Sequence, residues 1–197
     1  MVRLGKLAGL CGLLTPVVAF TAIGASIALS PWFFWARNAL SDLGALSSPM
    51  WPIFNTGLVV AGLLASFFSY GLLRRAKGSL GKVGSAILLI GSISLALIGL
   101  LPEDTGLPHL AAAVAFFLLT PAGLVVIGVS ELLGPGGRWA SLGLLASALG
   151  GASLLTWAIW ALLSPPLGLA VPEVVAAVLI SAALVALGLE MARVPEG

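Results

Sequence analysis

Residues 53–100 read "IFNTGLVVAGLLASFFSYGLLRRAKGSLGKVGSAILLIGSISLALIGL". Two long apolar runs flank one short segment that carries Arg74, Arg75, Lys77 and Lys82. Each run is near the ~20 apolar residues that a helix needs to cross a hydrocarbon layer. The runs are continuous and do not alternate with period two, so they read as helices and not as strands of a barrel. The rest of the chain follows the same pattern. It has 197 residues, 60% hydrophobic and 8% charged, with mean hydropathy +1.17. A soluble domain carries about 25% charged residues. This chain cannot cover a water-facing surface, and lipid is its expected solvent.

Six spans are predicted, over about 7–30, 51–73, 84–101, 109–130, 139–163 and 171–191. The expected fold is all-α, a polytopic integral membrane protein with its six transmembrane helices in one bundle, forming a single domain over residues 1–197. The start of the chain superficially resembles a secretory leader. Its apolar run is longer than a leader's, and Pro31 and an aromatic cluster follow it, so it reads as the first span. The basic residues predict orientation. Arg3, Lys6, Arg74, Arg75, Lys77, Lys82, Arg138 and Arg193 fall on the side of the termini, and Arg37 alone falls on the other. Positive residues accumulate on the cytoplasmic side. A multi-pass cell-membrane protein with both termini cytoplasmic is therefore expected. A net charge of +2 reflects this orientation signal and gives no surface for nucleic acid. One cysteine, Cys11, cannot form an intrachain disulfide.

The scarce polar residues gather in two outer connections, "RNALSDLGA" (37–45) and "PEDTGLPHL" (102–110). Arg37, Asn38, Ser41 and Asp42 come from the first. Glu103, Asp104 and His109 come from the second. Asn55 lies about a turn inside the second span and needs a hydrogen-bond partner there. Asp42 and His109 are its expected partners, with Arg37 and Glu103 or Asp104 at the rim. The stretch 32–45, opening with Trp32, Phe33, Phe34 and Trp35, reads as a short interfacial helix folded over the bundle.

The motif N-x-x-S-D-L-G (Asn38, Ser41, Asp42, Gly44), then Asn55, then P-E-D (102–104) and His109 resembles a prokaryotic family of six-helix membrane proteins catalogued as domain of unknown function 998. The resemblance covers nearly the whole chain, through "NALSDLGALSSPMWPIFNTGLVVAGLL" (38–64) and "LIGLLPEDTGLPHLAAAVAFFLLTPAGLVVIG" (97–128). More distantly the chain is similar to the DRAM and Sfk-type membrane proteins of eukaryotes. Those are tied to lipid distribution and remodelling. The resemblance implies a membrane fold with an outer-face site and no particular reaction.

Three functions stay open from the residues. The first is binding or handling of a lipid or other amphiphile, with Arg37, Asn38, Ser41, Asn55, Glu103 and Asp104 as ligand contacts. The second is a lipid-modifying enzyme, with His109 as general base oriented by Asp42 or by Glu103 and Asp104. No cofactor is expected. A divalent metal held by Asp42, Glu103, Asp104 and His109 is the variant of that reading. The third is a structural or partner-binding protein without a ligand. Membrane lipids are the expected partners. Small-residue stripes on the second span (Gly57, Ala61, Ala65, Ser69) and the fifth (Gly143, Ser147, Gly151) serve either internal packing or a homo-oligomer. "LLTPVV" (13–18) and "LLTPAG" (118–123) echo each other as an inverted repeat would. Spans 1, 3, 5 and 6 lack ionisable residues near mid-membrane, which argues against an ion-coupled transporter.

Overall fold

The computed structural model describes residues 2–134, 138–163 and 168–193. They form six α-helices: α1 (Val2–Ala28), α2 (Trp51–Arg75), α3 (Ser79–Leu100), α4 (Leu107–Leu132), α5 (Arg138–Leu163) and α6 (Ala170–Arg193). Two short 3-10 turns, Leu40–Gly44 and Glu103–Thr105, lie in the connections α1–α2 and α3–α4. There is no strand among the described residues. All six helices are long and apolar enough to cross a membrane. The side chains of Arg3 and Arg138, two of the orientation markers, lie outside what is described.

Helix limits follow local chemistry. Pro52 and Pro108 occupy the first turns of α2 and α4, where a missing N–H leaves no carbonyl unpaired. Arg74 and Arg75 close α2, favourable positions for cations beside the exposed carbonyls. The third helix begins earlier than the apolar run predicts, because Ser79, Gly81 and Lys82 belong to it despite their low hydropathy.

The helices form a closed ring. Each packs on its neighbours in sequence, and α6 returns to α1. The closing seam is tight: a Cβ added to Gly9 would lie 2.6 Å from the Ala192 nitrogen and 2.7 Å from the Gly188 carbonyl. Between helices in lipid such close backbone approach replaces the hydrophobic drive available in water. The small-residue stripes pack within the chain. Gly57 faces Ala22 of α1, and Ser69 shares a 2.9 Å hydrogen bond with Ser92 of α3. Gly143 lies against Gly128 of α4, and Ser147 donates to the Val125 carbonyl at 3.4 Å. A Cβ at Gly151 would meet nothing within 4 Å.

The two ends of the ring differ. At the end carrying α2–α3, Arg75 pairs with Glu131 at 2.7 Å and lies 3.2 Å from the centre of the Trp139 ring. That contact joins α2, α4 and α5 at what we call the basic end. At the other, capped end, residues 29–50 cross over the bundle and bury Phe33, Leu40 and Leu43.

Candidate functional site

The cap is built from the motif residues themselves. The helix expected over 32–45 does not form. Residues 31–32 and 35–37 are turns, and only Leu40–Gly44 is helical, as a 3-10 turn. The reason is competition by side chains for the backbone. Asn38 accepts the Phe34 N–H through Oδ1 at 2.9 Å and donates through Nδ2 to Asp42 at 2.6 Å. The same Asp42 oxygen accepts the Ala39 N–H at 3.1 Å. Asn38 and Asp42 thus clamp the loop, with Leu40 and Leu43 turned into the bundle. Trp32, Phe34 and Trp35 stay exposed at the rim, and Arg37 sits 5.6 Å from the centre of the Phe34 ring.

Three further attachments hold the cap down. Asn55 is buried and donates to the Gly44 carbonyl at 2.9 Å. Gly44 must be small, because a Cβ there would lie 2.4 Å from Asn55 Oδ1 and 2.8 Å from Phe54. From the second connection, Asp104 accepts the Leu46 N–H, and the Glu103 carboxyl lies beside Asp42 and Ser41. Burial, then the charge of Asp42 beside it, pushes Glu103 up to about 7. Gly106, at φ 69°, then turns the chain into α4. From the third side, Gly168 donates to the Ala36 carbonyl and Ala170 to the Asn38 carbonyl, both at 2.9 Å. Just below them the Glu173 carboxylate accepts the Leu40 N–H at 2.6 Å.

Under the cap lies a cavity of about 80 Å³ along the ring axis. Five helices line it, all but α5. Its wall is mostly aliphatic and aromatic, with Phe20, Phe54, Phe116 and Phe117 among its residues. Ser41, His109 and Glu173 line its capped end, and the hydroxyl residues Thr15, Ser92, Thr120 and Ser181 lie deeper. A wider, open groove on the cap's upper surface runs past Trp32, Ser48, Asp42 and Glu103.

A family model described as "Protein of unknown function (DUF998)" matches residues 13–190. The chain belongs to this family. No curated protein and no solved structure matches it.

This DUF998 chain, a multi-pass membrane protein, brings some of its predicted site residues together and separates others. Asn38, Ser41, Asp42, Glu103 and Asp104 meet within the cap. The hydrogen-bonded trio expected of Asp42, Asn55 and His109 does not form. Asn55 finds its partner in the first loop, as burial required, but the partner is a backbone carbonyl. His109 is buried in the first turns of α4, where Nδ1–H donates to the Leu101 carbonyl at 2.7 Å. Arg37 stays at the exposed rim, away from the carboxylates. The metal set of Asp42, Glu103, Asp104 and His109 is likewise not assembled: among the described residues no three His, Cys, Asp or Glu side chains converge as ligands would. Sequence reasoning passed over Glu173. Its signal was an acidic residue, "VPEVV" (171–175), inside the first turn of an otherwise apolar span.

Proposed function

We propose that this protein binds a lipid or other amphiphile, with its apolar body in the axial cavity and its polar group beneath the cap. The observation that carries the reading is the arrangement of the cavity: a mostly apolar shaft whose two ionisable residues, His109 and Glu173, both lie at the capped end. Its volume is several times that needed for one water, and a water needs two to four polar partners, about 10–15 Å³ of this kind of space sufficing for each. The shaft offers few such partners along most of its length, so an apolar chain suits it better than solvent. The basic asymmetry supports a capped end on the outer side and cytoplasmic termini. The cap's exposed aromatic rim would then lie in the outer headgroup layer.

Purification followed by lipid extraction and mass spectrometry tests the reading. A defined amphiphile should accompany the protein in stoichiometric amount. Ala113→Trp, which fills the shaft, should expel it while the protein stays folded. Equal amounts of bulk lipid on both proteins would overturn the proposal. A second reading, a lipid-modifying enzyme, draws support from the Asp42–Glu103 pair and not from His109. A carboxyl near 7 beside a second carboxylate suits proton transfer at neutral pH. Chemical turnover of the co-purified amphiphile would favour this reading.

A further inference from the structure

We infer that the polar group of the bound amphiphile is a protonated amine and that Glu173 is its counter-ion. The inference rests on the cavity reading above and adds the charge of the ligand.

Glu173 is 7% exposed and lines the cavity at its capped end. Among the described residues its hydrogen-bond partner is the Leu40 N–H. A glutamine would accept that bond equally well without a charge to desolvate, so holding the cap does not require a carboxylate. The Arg75–Glu131 ion pair lies at the opposite end of the bundle. Arg37, the one basic residue near the cap, lies against the Phe34 ring. The neighbouring charges that act on Glu173 are Asp42 and Glu103, and both are acidic. His109, which shares the capped end of the cavity, is bonded to the Leu101 carbonyl. The capped end is therefore rich in carboxyl groups, and among the described residues no cation is paired with them. A buried carboxylate without a cation is costly, and an ammonium group entering the cavity would remove that cost. Phe20, Phe54, Phe116 and Phe117 in the wall add rings that tolerate a cation. A phosphate or carboxylate headgroup would face repulsion there instead.

The shape restricts the tail. On α2 the lining runs from Phe54 to Ala65 and on α6 from Glu173 to Leu184. At 1.5 Å per residue, each stretch is about 16 Å long. With so small a volume, the shaft takes one alkyl chain. The ligand class is thus a single-chain alkyl amine.

The test uses the full-length protein in nanodiscs of zwitterionic lipid at neutral pH, with empty nanodiscs subtracted. Radiolabelled dodecylamine, dodecanol and dodecanoate are titrated separately. Dodecylamine should bind about tenfold or more tightly than dodecanol, as a charge-assisted bond in a buried site requires, and dodecanoate more weakly than either. Glu173→Gln should lower amine affinity to the dodecanol level and leave dodecanol binding unchanged. Equal affinity of amine and alcohol in the unmodified protein overturns the inference while leaving the cavity reading intact. Retained amine preference in Glu173→Gln overturns the role of Glu173. Saturable binding of none of the three overturns the cavity reading with it. The amine-to-alcohol ratio of the unmodified protein decides the matter even if the variant does not fold.

Discussion

Two residues show how closely the cap is specified. Asn55 and Gly44 form one unit: the amide needs the carbonyl, and the glycine leaves room for the amide. Asn55→Leu should lower stability by about 1–3 kcal/mol, the cost of leaving a buried carbonyl unsatisfied. Gly44→Ala should also lower it, through the clash with Asn55 Oδ1 and Phe54. Thermal unfolding in detergent reads both, and an unchanged midpoint for either would refute the unit. Glu103 makes a pH prediction. Its carboxyl is raised from 4.5 to about 7, so between those values the folded protein holds a proton that the unfolded chain has released. Stability should fall as pH rises through that window and level off above it. Glu103→Gln should flatten the profile. Asn55 was legible in the sequence because a lone amide inside a span needs a partner. Glu173 was not, because its hydrogen-bond partner, the Leu40 N–H, lies 133 residues away in the chain.

Among the elements, the spans and the folding of the first connection over the bundle were legible, and the local form of that connection was not. Continuous apolar runs announce a membrane helix whatever packs beside it. The first connection carries a conflicting signal, since its aromatic residues fit an interfacial helix while Asn38 and Asp42 draw the backbone into turns. Periodicity cannot arbitrate between those forces over so short a stretch. The attachments of the cap should be separable by hydrogen exchange. Asp104→Ala removes the acceptor of the Leu46 amide, whose exchange should accelerate. The Leu40 amide, held by Glu173, should remain slow. Simultaneous acceleration of both would mean that the cap opens as a single unit, contrary to this expectation.

For the molecule as a whole, the orientation is open to a direct test. On a Cys11→Ser background, a cysteine placed at Lys77 or Gly78 should react with an impermeant reagent only when the cytoplasmic side is accessible. A cysteine replacing Ser47, exposed on the cap, should react from outside. The reverse pattern would invert the topology. The ring itself was not legible from hydropathy, which counts helices without saying which of them meet. That α6 returns to α1 depends on small residues at Gly9 and Gly188, which look alike to any scale of apolarity.

That closure also imposes an order on assembly. The helices leave the ribosome in sequence, and each from α2 to α5 can settle against the one made just before it. The seam between α1 and α6 joins the earliest helix to the latest. Until α6 arrives, the inner faces of α1 and of the cap remain turned toward lipid, and the Leu40 amide has no acceptor. The cavity is therefore a late product of biogenesis. A nascent chain halted before Ala170 would carry most of its secondary structure and nothing able to hold a guest.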